Sequence, residues 1–119
     1  MTEDIVFKYE VVEEILNKRP EEALKMLSQK YSVKAPELYV GMVKGHSSDA
    51  LGIYISKKKA IHVKDSDVLF NPFVIIHEFY HHLRTHPSMH RGTERHADLF
   101  AKDFIKAYSE YKGRLTATE

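Results

Sequence analysis

The run from His77 to His81 holds the residues of this chain best suited to chemistry. It reads His-Glu-Phe-Tyr-His, an H-E-x-x-H pattern. Histidines four positions apart leave the same face of a helix about one turn apart, so both rings can reach one Zn²⁺ at roughly 2.0–2.1 Å. Glu78 lies beside that face, where it can take a proton from a metal-bound water without ligating the metal. The spacing predicts a divalent-metal site with its own general base.

The local sequence predicts that this motif lies on a helix over residues 71–86. Asn71 is suited to the N-cap and Pro72 to the first helical position. Apolar residues then follow at i, i+3, i+4 and i+7, namely Ile76, Phe79, Tyr80 and Leu83. This stripe lies nearly opposite the two histidines, so one face should pack on a core while the other faces a cleft.

A second group of candidate residues begins at Glu94, in a helix predicted over residues 93–111 with Thr93 as its N-cap. Glu94 lies at the edge of the apolar face of this helix and could supply a third ligand. Two histidines and one glutamate with an open position form a catalytic rather than a structural zinc arrangement. Asp98, one turn further on, could accept the second N–H of a ligating histidine. The alternatives are a carboxylate favoured by the helix dipole for Glu94 and a solvated helix residue for Asp98.

These motifs resemble those of the gluzincin metallopeptidases, in which H-E-x-x-H is followed by E-x-x-x-D. The finer pattern that starts at Glu94, E-x-x-A-D-x-F-A, resembles the ImmA/IrrE-type branch and the small minigluzincins of archaea. The resemblance covers about residues 37–108, and the short loop after His81 is similar to that of the smallest members. It implies a minimal zincin-like α+β domain with zinc peptidase activity.

Residue by residue, the resemblance implies that His77, His81 and Glu94 bind Zn²⁺. It implies that Glu78 is the general base and acid, and that Asp98 orients a ligating histidine. No residue of this sequence matches the oxyanion-stabilising side chain of the larger gluzincins.

Other ligand patterns fit the sequence less well. A metzincin needs Gly at position 84 and His at position 87, where this chain has Arg84 and Pro87. A SprT-like site would use His96, but this residue points roughly 160–200° away from Glu94 on the helical wheel. We expect His82, His86 and His90 to lie at the surface, although His86 or His90 could line the cleft. His46 and His62 have no partner at ligand spacing and are not expected to bind the metal.

Length and composition indicate one domain over residues 1–119, with 43% hydrophobic and 29% charged residues. The sequence contains no run of about 18 apolar residues and no signal peptide, so we expect neither a membrane span nor export. Cysteine is absent, which excludes disulfides, and a cytoplasmic location is the expectation. The net charge of +1 gives no reason to expect nucleic-acid binding.

The order of elements can be predicted from periodicity and from turn residues. Two helices are expected over residues 1–35, a small sheet over residues 36–65, and a tail over residues 112–119 after Gly113 ends the last helix. The sheet should be three-stranded and mainly antiparallel, with the lysine run 57–59 as a hairpin turn. The predicted strands are Leu38–Val43, Gly52–Ser56 and Ala60–Lys64.

The predicted function is that of a zinc metalloendopeptidase acting on a peptide or protein held against a sheet edge near residues 51–55. The minigluzincin resemblance implies that some members are latent, so residues 112–119, or those before Phe7, could lie in the cleft. The Glu119 carboxylate could then occupy the open zinc position. A zinc-binding regulatory or protein-interaction module is the main alternative, although it would not need Glu78. A small non-peptidase hydrolase is a third, and the oligomeric state is not readable from sequence.

Overall fold

A computed structural model describes residues 2–42, 50–85 and 94–117 of the protein. Within these ranges four helices and a three-stranded mixed sheet form an α+β domain, which confirms the predicted class. The elements are α1 (Thr2–Leu16), α2 (Pro20–Lys30), β1 (Glu37–Val40), β2 (Gly52–Ile55), β3 (Ala60–Val63), α3 (Pro72–Arg84) and α4 (Glu94–Ala117). None of these described helices has the length and apolar character that crossing a membrane requires.

Helix α3 begins as its sequence predicts. The side chain of Asn71 accepts a hydrogen bond from the backbone N–H of Val74 (3.3 Å), and Pro72 is the first helical residue. The helix ends at Arg84, within the predicted range, and Ile75, Ile76 and Phe79 are fully buried. The capped start fixes where the H-E-x-x-H turn lies relative to the core.

Helix α4 packs against both α1 and α3 and so places Glu94 near the motif helix. Ala97 and Ala101 are fully buried, and their small side chains allow neighbouring backbones to approach closely. Aromatic pairs extend this packing, with ring centroids 5.1 Å apart between Tyr80 and Phe100. The start of α4 is thereby held beside α3.

The sheet is mixed, so the prediction of a mainly antiparallel sheet is wrong. Its order is β1-β3-β2, with β2 antiparallel and β1 parallel to the central strand β3. The predicted hairpin joins β2 to β3, and Lys59 takes a left-handed conformation (φ 50°) in its turn. Because this hairpin occupies one side of β3, β1 pairs with the other side. Strands β1 and β2 therefore form the two edges.

Helix α4 continues to Ala117, so the prediction that it ends near Tyr111 and leaves a tail is wrong for residues 112–117. Gly113 costs a helix interior only about 1 kcal/mol relative to Ala, which the helical residues around it offset. The Thr116 hydroxyl donates to the backbone carbonyls of Lys112 (3.2 Å) and Gly113 (3.0 Å) within this last stretch. The predicted N-cap Thr93 and residues 118–119 lie outside the described residues.

Candidate metal centre

Three of the predicted ligands meet where α3 faces the start of α4. The Nε2 atoms of His77 and His81 are 3.3 Å apart. The two oxygens of the Glu94 carboxylate lie 2.9 Å from Nε2 of His77 and 2.8 Å from Nε2 of His81. Within the described ranges this is the group of side chains whose donor atoms could hold a metal ion.

The separations between these donor atoms fit a tetrahedral ion. Two ligand atoms at about 2.05 Å from a metal, with a tetrahedral angle between them, are about 3.3 Å apart. The two histidine nitrogens already have that separation. The distances from the Glu94 oxygens to the two Nε2 atoms are shorter, at 2.9 and 2.8 Å, and correspond to angles near 90° at such an ion. A tetrahedral angle requires the carboxylate to move slightly away from the two histidines. The Glu94 side chain is 76% exposed, which leaves the solvent side of the group open.

The second nitrogen of His77 faces Asp98, at the position that the sequence predicts. Its Nδ1 lies 2.9 Å from Oδ1 of Asp98, although the contact does not have hydrogen-bond geometry and Nδ1 is buried without a hydrogen-bond partner. If Nε2 binds a metal, the ring proton resides on Nδ1 and points towards this carboxylate. A small rotation of Asp98 would then satisfy both groups.

Burial favours the neutral, metal-binding form of His81. Desolvation lowers its pKa, and the positive charges nearby act in the same direction, while the Glu94 carboxylate opposes them. A neutral imidazole has a free lone pair on one nitrogen, as metal ligation requires.

Glu78 lies beside the three donor groups but is not one of them. Glu78 is only 7% exposed, and its Oε2 lies 4.0 Å from Nε2 of His77. Burial raises the pKa of this carboxyl to about 7, with His77 opposing the rise and the charge of Glu94 adding to it. A carboxyl that titrates near neutral pH can both accept and return a proton under ordinary conditions.

Two cavities extend from the candidate metal centre along β2. The larger, of about 640 Å³, is lined by β2 together with Glu78, His81 and Arg84. The smaller, of about 270 Å³, is lined by Leu51, Phe73 and Val74 together with His77, Glu78 and Glu94. Strand β2 is an edge of the sheet, as the peptide-binding prediction requires.

Close packing of β2 on α3 depends on Gly52. A Cβ atom at this position would lie 2.8 Å from Cγ1 of Val74 and 3.4 Å from Cγ of Glu78. Any larger residue would force the strand away from the helix. Gly52 therefore sets the width of the cleft beside the base, a role that sequence reasoning did not assign to it.

The prediction that His82 lies at the surface is wrong, because this residue is only 1% exposed. Its Nε2–H donates to the backbone carbonyl of Lys34 (2.7 Å), so its Nδ1 accepts from the Tyr54 hydroxyl (2.7 Å). This pair ties β2 to α3. A sequence signal existed, since Ile75, Phe79 and His82 follow the i, i+4, i+7 spacing of a buried helix face.

Among the described residues, His62 and His96 do not belong to the candidate ligand group. His96 is half-buried on α4 and is not part of the ligand group. His62 lies on β3, where its Nδ1–H donates to the carbonyl of Gly41 (3.1 Å). The predictions for His46, His86 and His90 fall outside the described residues.

Comparisons of this chain with known protein families, with curated proteins and with solved structures returned no match.

Proposed function

We propose that the protein is a zinc-dependent metallopeptidase. His77, His81 and Glu94 would hold the ion, and Glu78 would be the general base. The buried Glu78 carboxyl beside the three donor groups carries this proposal, because metal binding alone does not need it. A protein-interaction module would need the ligands but has no use for a carboxyl whose pKa is raised to about 7.

The donor set favours zinc among the common divalent ions. Two imidazole nitrogens and one carboxylate oxygen, with a side open to solvent, are typical of catalytic zinc sites. A zinc ion bound there would act as a Lewis acid towards a peptide carbonyl and would acidify water. Glu78 would accept the proton of the attacking water and pass it to the leaving amine.

The edge strand β2 would bind the substrate in an extended conformation. Its outer backbone groups can pair with a peptide whatever the side chains of that peptide, which suits a peptidase for unfolded or flexible segments. Self-inhibition by a chain terminus stays a prediction. Residues 4–6 and 112–116 are helical and are not among the residues that line either cavity.

Metal content and peptide turnover of three proteins would test the proposal: the wild type, Glu78→Gln and Glu94→Ala. We expect about one zinc per wild-type chain, full zinc but at least about 10²-fold slower turnover for Glu78→Gln, and weakened zinc binding for Glu94→Ala. Glu110→Gln, an exposed change on α4, is the matched control. Peptide cleavage by Glu78→Gln would overturn the assignment of the base, and unchanged zinc affinity in Glu94→Ala would overturn the third ligand.

A further inference from the structure

The larger cavity contains a cation that the proposed chemistry does not use. Arg84 lies in the last turn of α3, three residues after His81, and lines this cavity with an exposed side chain. Among the described residues, no carboxylate forms an ion pair with its guanidinium. An unpaired guanidinium in a cleft is suited to bind an anionic group of a ligand.

Once a divalent ion is bound, Arg84 would carry the charge of the cleft that is not balanced. Among the described residues, the carboxylates that line the larger cavity are those of Glu78 and Glu94, and one divalent ion would balance both. The charge of Arg84 then remains. Because the cavity is bounded by β2 on one side and α3 on the other, a peptide lying along β2 would pass this residue.

We propose that Arg84 determines specificity by binding a carboxylate of the peptide substrate. The carboxylate could belong to an acidic side chain or to the C-terminus of the peptide, since the chemistry is the same. This inference rests on the proposed function, because it concerns the substrate of the same site.

Helix geometry sets the distance at which the carboxylate should be found. Arg84 follows Glu78 by six positions, which is about 9 Å along a helix. An extended peptide advances about 3.3 Å per residue, so the bound carboxylate lies two to three residues from the cleaved bond. The smaller cavity, which includes Leu51 and Phe73, has no lysine or arginine among the described residues that line it, so we expect the carboxylate to be recognised only on the side of Arg84.

A cation in the last turn of a helix also interacts favourably with the helix dipole, and this could be the sole role of Arg84. Arg114 provides the matched control because it is an exposed arginine in the last turn of α4 and does not line either cavity. Arg84→Gln and Arg114→Gln remove the same charge from the last turns of α3 and α4. If Arg84 interacts only with the dipole, its loss should lower stability, as the loss of Arg114 does, and leave the substrate preference unchanged.

The experiment uses the zinc-loaded protein and three variants of one peptide. The first has Glu at two or three residues from the cleaved bond and an amidated C-terminus. The second has Gln there and an amidated C-terminus, and the third has Gln and a free C-terminal carboxylate placed at the same distance. Binding is measured with the Glu78→Gln protein, which should not turn over, and kcat/KM with the wild-type base.

We expect the first or the third peptide to bind about 10- to 100-fold more tightly than the second, the range for a hydrogen bond to a charged group. Arg84→Gln should lose this preference and leave the affinity for the neutral peptide unchanged, while Arg114→Gln keeps the preference. Arg84→Glu should favour a peptide with Lys at the same position.

Equal binding of all three peptides, or equal preference in Arg84→Gln and Arg114→Gln, would overturn the proposal for Arg84. Cleavage of the peptides without any preference for a carboxylate would overturn the proposal for Arg84 and leave the peptidase proposal intact. A carboxylate preference in binding, with no cleavage by the wild type, would support the role of Arg84 and overturn the peptidase proposal.

Discussion

Burial of the Glu78 carboxyl makes the stability of the metal-free protein depend on pH, and the size of this effect follows from the structure. The pKa of the carboxyl is raised from 4.5 to about 7 in the folded state, chiefly by burial. Between these values the folded protein keeps a proton that the unfolded chain has released, so the free energy of unfolding falls as the pH rises. At 1.36 kcal/mol per pH unit, the total loss is about 3 kcal/mol.

Glu78→Gln removes this dependence because the amide is neutral at every pH. Relative to the wild type, the variant should therefore gain about 3 kcal/mol of stability between pH 4 and pH 8 in the presence of a chelator. Urea unfolding followed by circular dichroism would measure the difference. With a slope of about 1–3 kcal/mol per molar urea, the midpoints should separate by about 1–3 M over this pH range.

Glu110→Gln is the control, since it removes an exposed carboxylate from the same protein and should change stability by less than about 0.5 kcal/mol. Added zinc should reduce the pH-dependent difference, because a nearby cation lowers the pKa of Glu78. If the free energies of unfolding of Glu78→Gln and the wild type differ by the same amount at pH 4 and at pH 8, the reasoning is refuted. This result would mean that the folded state does not hold this carboxyl in its neutral form.

Four further substitutions test the packing of the fold and the surroundings of the site. Gly52→Ala should destabilise the protein by about 1–3 kcal/mol, since its Cβ would lie 2.8 Å from a valine methyl group of α3. Gly113→Ala, with open space around the new methyl group, should instead stabilise by about 0.5–1 kcal/mol, and equal effects in thermal unfolding would contradict this packing. Tyr54→Phe should cost about 1–3 kcal/mol because it leaves the buried Nδ1 of His82 without its donor, and an unchanged urea midpoint would argue against that hydrogen bond. Asp98→Ala should weaken zinc binding by about 10- to 100-fold in a competition titration, and unchanged affinity would show that the carboxylate does not orient the ligand.

The parts of the fold that were predicted correctly depend on residues close together in the chain. The start of α3 follows from Asn71 and Pro72, and the β2–β3 hairpin follows from two β-rich segments around the lysine turn. The spacing of His77 and His81 is likewise local, since both lie on one helix. In each case the backbone geometry of a single element determines the outcome.

Most of the predictions that failed concern contacts between segments that are distant in the sequence. The pairing of β1 with β3 depends on which edge the hairpin leaves free, and no local pattern distinguishes a parallel from an antiparallel partner. The burial of His82 depends on the loop carbonyl of Lys34 and on Tyr54, which meet it only in the folded protein. The extension of α4 past Gly113 is a smaller case, in which helix propagation outweighs the cost of one glycine.

For this protein, the amino-acid sequence by itself determined the candidate ligands, the candidate base and the helices that carry them, because spacing along a helix decides which side chains share a face. Only the tertiary structure decided that Glu94 reaches both histidines, since this depends on how α4 packs against α3. It also decided the raised pKa of Glu78 and the place of Arg84 in the cleft beside β2. Desolvation and the shape of the cleft arise where elements distant in sequence pack together. Neither property can therefore be predicted from the sequence close to the residue that it affects.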